Sequence, residues 1–181
     1  MLLTVRSMIE TLLERTATAG WRCASCGKLI ISVEDGWVEW LVDGEDDKGA
    51  STISGLRLVH HDPSAGAPGV RSGCRYHAGQ EFATHRSIVE GLPLASFTGF
   101  DGLMLLFSFI SSGEMPLEDM LELAKRVQIP GYEQSRDLLQ DLLTRGLFSA
   151  SIGDGFYLQS EIQTVLQWAL QQSKRQKNSA T

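Results

Sequence analysis

An amphipathic helix followed by strand-like segments is predicted for the first half of the chain. Residues 3–16 place apolar side chains at helical spacing on one face and charged side chains on the other, which favours a helix packed on its own domain over a dimer contact. Three runs rich in β-branched and aromatic residues predict strands at 28–33, 37–42 and 53–61. Residues 76–90 then predict a second helix.

Helices dominate the second half of the chain. Apolar residues recur at helical spacing in four segments, which are residues 101–112, 116–127, 132–145 and 160–172. The turn signal Gly153-Asp154-Gly155 lies between two short apolar runs and predicts a β-hairpin before the last helix. Residues 174–181 are polar, and we expect them to form a disordered tail.

The two halves are predicted to form separate domains. Leu92-Pro93 and Thr98-Gly99 interrupt the periodic segments, which indicates a boundary between residues 1–91 and 92–181. A chain of 181 residues with 43% apolar residues is long enough for two small cores. The predicted class is therefore α+β, with a small β-hairpin and helix domain followed by a mostly helical one.

The charge of the chain disfavours a nucleic-acid partner. Its formal net charge is −6, and each half contributes about −3. Because neutralisation of phosphates dominates nucleic-acid affinity, neither half has the composition of a general DNA or RNA binder. Charged residues interrupt the N-terminal apolar positions, which argues against a signal peptide, and the longest apolar stretch, residues 103–110, is too short to span a bilayer. We therefore expect a cytoplasmic protein without membrane segments.

Three cysteines and a histidine have the spacing of a tetrahedral zinc site. Two residues separate Cys23 from Cys26 and Cys74 from His77, so the backbone can turn to bring both members of a pair to one ion. Gly27 eases the tight turn after the second cysteine. These ligands would use every cysteine of the chain, and thiols stay reduced in the cytoplasm. The alternative fourth ligand is His61, at the end of a predicted strand.

The order of these ligands and elements resembles the treble-clef zinc module. In residues 21–90 a knuckle, a hairpin and a helix whose first turn carries the second ligand pair follow one another. The resemblance implies Zn bound by Cys23, Cys26, Cys74 and His77.

Residues 100–172 resemble a winged-helix domain, because three helices, a hairpin and a final helix follow one another there. Winged helices read DNA through the third helix, and they also serve as protein-docking modules. The third predicted helix here has a net charge of −1, and the hairpin carries no Lys or Arg. This charge favours the docking role.

A further resemblance gives an alternative function. Paired histidines that end a hairpin before a metal-bearing helix resemble the HNH nucleases, a treble-clef variant, which implies His60 or His61 as the base and His85 as a helix-side ligand. No Asn lies between Asp62 and Cys74, where that family has one, and the surrounding charge is acidic. The competing interpretation is that His60 or His61 ligates the structural zinc or hydrogen-bonds near it.

The sequence favours a non-enzymatic, zinc-stabilised binding or adaptor protein with a regulatory role that docks a protein partner. If every cysteine holds zinc with four protein ligands, the site is closed and structural. Trp37 and Trp40 fall on opposite faces of a predicted strand, so one is expected in the core and the other is available to anchor a partner. The alternatives are the nuclease above and a winged-helix DNA-binding regulator.

Overall fold

The computed structural model describes residues 20–45, 51–62, 73–153 and 155–179. These residues form helices and small antiparallel sheets, so the predicted α+β class is confirmed. They divide into two compact units at Gln128 and Ile129. The boundary predicted after residue 91 falls inside a strand of the first unit. The helix predicted for residues 3–16 lies outside the described residues.

Two small sheets form the first part of residues 20–128. The strands Trp21–Arg22 (β1) and Leu29–Ile30 (β2) pair as an antiparallel ribbon. A second sheet contains Gly36–Glu45 (β3), Ser51–His60 (β4) and Ile88–Pro93 (β5), with β3 in the centre and antiparallel to both neighbours. The predicted second and third strands are thus present, and the first is shorter than predicted.

The segment predicted as one helix over residues 76–90 is a short helix followed by a strand. The helix Ala78–His85 (α1) ends because Arg86 adopts a left-handed conformation with φ of 63°. Ile88 and Val89 then pair with Val42 and Leu41 on β3. Their β-branched side chains suit a strand, and the open edge of β3 supplies the hydrogen bonds that a longer helix would have made internally.

Two helices complete the core of the first unit. The helix Gly99–Ser112 (α2) and the helix Leu117–Gln128 (α3) lie within two residues of the predicted bounds. The side-chain amide of Gln128 donates hydrogen bonds to the carbonyl oxygens of Phe97 and Gly99, which ties the end of α3 to the start of α2. The helices and the sheets share one core, which includes Ile30, Val38, Leu58, Leu94, Phe97, Leu106, Met120 and Leu123.

Replacing Gly102 with alanine is expected to destabilise the first unit. A Cβ at this buried position of α2 would lie 2.2 Å from the carbonyl carbon of Phe97, a backbone atom that cannot rotate away. Overpacking of this kind costs on the order of 2 kcal/mol, more than the helix propensity that alanine gains. Gly79→Ala in α1 is the matched control, because its Cβ would meet only ordinary contacts to His77. Thermal unfolding should show a lower Tm for Gly102→Ala alone, and equal Tm values would contradict the expected clash.

In the described part of the second unit, two packed helices are joined by residues 145–158. The helix Tyr132–Thr144 (α4) and the helix Gln159–Ser179 (α5) bury Leu138, Leu139, Ile162, Val165 and Ala169 between them. The predicted β-hairpin is reduced to one bridge between Gly153 and Phe156. The prediction of a disordered tail from residue 174 is wrong as far as Ser179, because α5 continues to that residue. Lys, Arg and Gln are good helix formers, which permits this extension.

Glu161 caps the first turn of α5, and this role predicts a pH dependence. Its carboxylate accepts hydrogen bonds from the backbone N–H groups of Ser151 and Leu158 and from the Ser151 hydroxyl. These hydrogen bonds, the one from the Ser151 hydroxyl above all, lower the pKa of Glu161. Because the folded-state pKa is the lower one, the stabilisation is complete above the unfolded pKa and is lost as the pH falls through the folded pKa. Wild type should therefore lose more stability than Glu161→Gln on acidification below about pH 4.3. Parallel Tm curves for the two proteins would contradict this.

No helix among the residues with described structure is long and apolar enough to cross a lipid bilayer.

Candidate metal centre

The β1–β2 ribbon presents the first two cysteines on a tight backbone turn. The N–H of Gly27 donates a hydrogen bond to the carbonyl oxygen of Cys23 at 3.0 Å. The N–H of Cys23 donates a hydrogen bond to the carbonyl oxygen of Lys28 at 2.9 Å. Gly27 has a φ of 72°, a left-handed conformation that favours glycine. The two-residue spacing predicted from the sequence therefore folds into a knuckle with Cys23 and Cys26 on one turn.

The other two members of the cluster come from the end of β4 and from the segment before α1. The N–H of Ala24 donates to the carbonyl oxygen of Leu58 at 2.9 Å, which fastens the knuckle to β4. Two residues later His60 ends that strand, with its side chain 8% exposed. Cys74 is buried beside it.

Cys23, Cys26, His60 and Cys74 come together with one ligand atom each, and these four atoms all lie within 4.8 Å of one another. The Nδ1 atom of His60 lies 3.5 Å from the Cys26 sulfur and 3.6 Å from the Cys74 sulfur. In a tetrahedron with Zn–S of about 2.3 Å and Zn–N of about 2.0 Å, the nitrogen and each sulfur are about 3.5 Å apart. The cluster therefore has the size and the donor atoms to hold a metal ion.

Hydrogen bonding fixes the ring of His60 in the orientation that a metal ligand needs. Its Nε2 lies 3.2 Å from the carbonyl oxygen of Leu29. A carbonyl oxygen only accepts, so Nε2 carries the proton and Nδ1 keeps its lone pair toward the thiols. Metal-ligating histidines commonly donate their second ring N–H to a carbonyl in this way.

The fourth member of the cluster is His60, not the predicted His77 or its alternative His61. His77 is the N-cap of α1, where its Nδ1 accepts a hydrogen bond from the N–H of Gln80 at 3.2 Å. His61 follows β4, and its ring stacks on Trp37 with centroids 4.9 Å apart. His85, the helix-side ligand of the nuclease interpretation, lies 3.2 Å from the Glu81 carboxylate on α1.

The physical reason for the difference is the alternation of side chains along a strand. Successive residues of β4 point to opposite faces, so His60 and His61 separate, and His60 shares its face with the buried Leu58. The pairing of His60 with Gly36 fixes this register. The sequence does place His60 as one of two histidines near the predicted metal site, and the strand register distinguishes them.

The pKa values of the Cys23 and Cys74 thiols are shifted in opposite directions. Burial opposes ionisation of Cys23, but hydrogen bonds from the backbone of Cys26, His60 and Ser25 more than offset it and lower the pKa of its thiol to about 7. Burial raises the pKa of the Cys74 thiol to about 12, and its contacts with Cys26 and Cys23 act in the same direction. Three thiolates can coexist in this cluster only with a compensating cation. The donor set is therefore suited to a metal ion.

A buried ion pair holds the segment that carries Cys74. The carboxylate of Glu39 is fully buried and accepts hydrogen bonds from Arg57 Nε and from the backbone N–H of Tyr76, both at 2.9 Å. The Nη2 atom of Arg57 donates to the carbonyl oxygen of Cys74 at 3.3 Å. Its guanidinium also stacks 3.4 Å from the centroid of the Tyr76 ring. Glu39 and Arg57 therefore act as positioning residues for Cys74, and no motif in the sequence indicates this role.

An open groove runs along β5 on the same unit. It has a volume of about 510 Å³, and its lining includes Trp37, Arg75, Glu90, Gly91 and Phe109. The guanidinium of Arg75 lies 4.4 Å from the centroid of Trp37, which is half-buried. Trp40 is buried in the core against Phe109. The groove thus presents aromatic surface, one cation and one anion beside an edge strand.

Comparisons with protein-family models, with curated proteins and with solved structures give no match for this chain.

Proposed function

We propose that this protein is a zinc-stabilised, non-enzymatic adaptor that docks a protein partner. The observation that carries the proposal is the group of three thiols and one imidazole, all buried except the half-buried Cys26, whose ligand atoms lie within 4.8 Å of one another. Cys3His is a ligand set typical of structural zinc, and soft thiolates select zinc over magnesium or calcium.

The same ligand set supports a structural role for the metal. With four protein ligands a tetrahedral zinc has no position left for water or substrate, whereas catalytic zinc sites keep one open. His60, one of the two bases of the nuclease alternative, has Nδ1 directed to the thiols and Nε2 directed to a carbonyl. A ring engaged in this way is not free to activate water.

The treble-clef-like and winged-helix-like architectures are part of this proposal. A knuckle, a hairpin and helix α1 follow one another in residues 21–85, which supports the first. The order of α2, α3, α4, the Gly153 bridge and α5 along the chain is that of a winged helix, but α2 and α3 share the core of the first unit whereas α4 and α5 form the core of the second.

Protein is the favoured partner, because the surfaces described above suit it better than nucleic acid. The groove along β5 combines Trp37 and Phe109 with the side chains of Arg75 and Glu90, and aromatic residues with Arg are enriched at protein interfaces. On α4, the helix that would read DNA in a winged helix, Arg136 pairs with Glu133 and Arg145 pairs with Asp141. Cations neutralised within their own helix contribute little to phosphate binding.

Cobalt substitution tests the closed metal site. Co²⁺ bound by three thiolates and one imidazole should give the intense visible absorption of a tetrahedral site, and added azide should leave that spectrum unchanged. A spectrum that azide shifts would show an open coordination position and would contradict the structural role.

Site-specific photo-crosslinking in cells tests the docking role. A crosslinking amino acid at Glu90, exposed in the groove, should capture a discrete protein, and one at the exposed Glu118 on α3 should not. The Trp37→Ala variant should lose the product obtained at Glu90. Equal products at both positions, or products that survive Trp37→Ala, would contradict docking in the groove.

A further inference from the structure

Helix α2 exposes an apolar stripe formed by Phe100, Met104 and Phe107. Their exposed fractions are 90%, 66% and 52%. At 3.6 residues per turn these positions fall within about 60° of arc, on one line along the helix. Large exposed apolar side chains on one face mark an interaction site rather than an ordinary solvated surface.

The rest of the exposed face of α2 is small and nearly free of charge. Ser108 and Ser111 lie beside the stripe, and Asp101 is the only charged residue between Gly99 and Ser112. The opposite face, with Gly102 and Leu106, is buried in the core of the first unit. A helix with this composition can approach another helix closely without leaving a buried charge unpaired.

The stripe is complementary to an inverted copy of itself. With a rise of 1.5 Å per residue, Phe100 lies about 6 Å on one side of Met104 and Phe107 about 4.5 Å on the other. A second α2 running antiparallel about Met104 therefore brings Phe107 of one copy close to Phe100 of the other. The methionines meet at the centre, where their sulfur atoms can contact the aromatic rings.

We propose that α2 docks on α2 of a second copy of this chain, with residue 104 at the two-fold axis. An isologous interface of this kind needs one self-complementary patch, which the order Phe, Met, Phe supplies. The three side chains expose on the order of 400 Å² of apolar surface per copy. Both copies together bury about 800 Å², which places the dimer among weak, transient assemblies.

Sedimentation equilibrium of the full-length, zinc-loaded chain tests this interface. Wild type should show a concentration-dependent monomer–dimer equilibrium. Met104→Glu and Met104→Lys should each weaken dimerisation at least tenfold, because like charges would meet at the axis. Neither variant should unfold the monomer, since the side chain at position 104 is exposed. Leu147→Glu is the matched control, because Leu147 is 71% exposed in the other unit, and it should dimerise as wild type does.

A one-to-one mixture of Met104→Glu and Met104→Lys provides the decisive result. The mixture should recover the dimer, since opposite charges would then meet across the axis. Wild type that stays monomeric at all concentrations, or dimers that persist in the single variants, would overturn the proposal. A mixture that stays monomeric would also overturn it. Zinc content of the same samples, measured separately, reports on the metal site and keeps the two proposals distinguishable.

Discussion

Replacing Cys74 with serine is expected to abolish tight metal binding and to unfold residues 20–128. Cys74 is buried within the cluster and carries one of its three thiols. In small zinc modules the free energy of metal binding, about 10–16 kcal/mol, is folding free energy. Metal content by mass spectrometry and tryptophan fluorescence measure the two effects, because three of the four tryptophans lie in this unit.

Ala24→Ser is the matched control for this substitution. It adds the same hydroxyl group to the exposed part of the knuckle and leaves all four ligands in place. This variant should keep its metal and its fold, and a chelator should unfold it as it unfolds wild type. A Cys74→Ser protein that keeps a wild-type fluorescence spectrum and Tm would show that the metal is not structural.

Replacing Arg57 with methionine is expected to give the second largest effect. The substitution keeps an apolar stem but removes the cation closest to the fully buried Glu39 carboxylate, at 2.7 Å. The remaining cation, Arg75, lies farther away, with its Nε 3.7 Å from the other carboxylate oxygen. Leaving a buried charge without its partner costs about 3–5 kcal/mol. Urea unfolding at saturating zinc should therefore show a lower midpoint. The variant should also release metal faster to a chelator, because Arg57 holds the carbonyl oxygen of Cys74.

The double variant Glu39→Gln, Arg57→Met separates the buried charge from the lost packing. Removing the carboxylate charge should restore a large part of the stability lost in Arg57→Met alone. If the stability losses of the two single variants add up to the loss of the double variant, the ion pair does not couple these residues.

The sequence predicted the knuckle because its signal is local. Two cysteines two residues apart followed by glycine require no long-range information, and Cys23, Cys26 and Gly27 adopt the expected turn. Which histidine joins the cluster depends on strand register, and the pairing of Gly36 on β3 with His60 on β4 sets that register between residues far apart in the sequence. Residue spacing favoured His77, and strand pairing placed His60 at the cluster instead.

Tertiary context also explains the other differences between sequence and structure. Strand β5 forms on β3 although residues 76–90 have a helical pattern, since sheet pairing outweighs a weak local preference. The buried pair of Glu39 and Arg57 has no sequence signature, because only the pairing of β3 with β4 places the two residues opposite each other. Helices α2, α3 and α4 were predicted well, because their apolar periodicity is long and regular.

Metal content of wild type, His60→Ala and His77→Ala tests the central claim most directly. The three proteins are purified in the presence of a weak competing chelator in molar excess over protein, and bound zinc is measured by mass spectrometry. We expect one zinc per chain in wild type and in His77→Ala, and a large loss in His60→Ala, because His60 Nδ1 lies among the thiols and His77 caps α1. Zinc that is retained in His60→Ala and lost in His77→Ala would contradict the site described here.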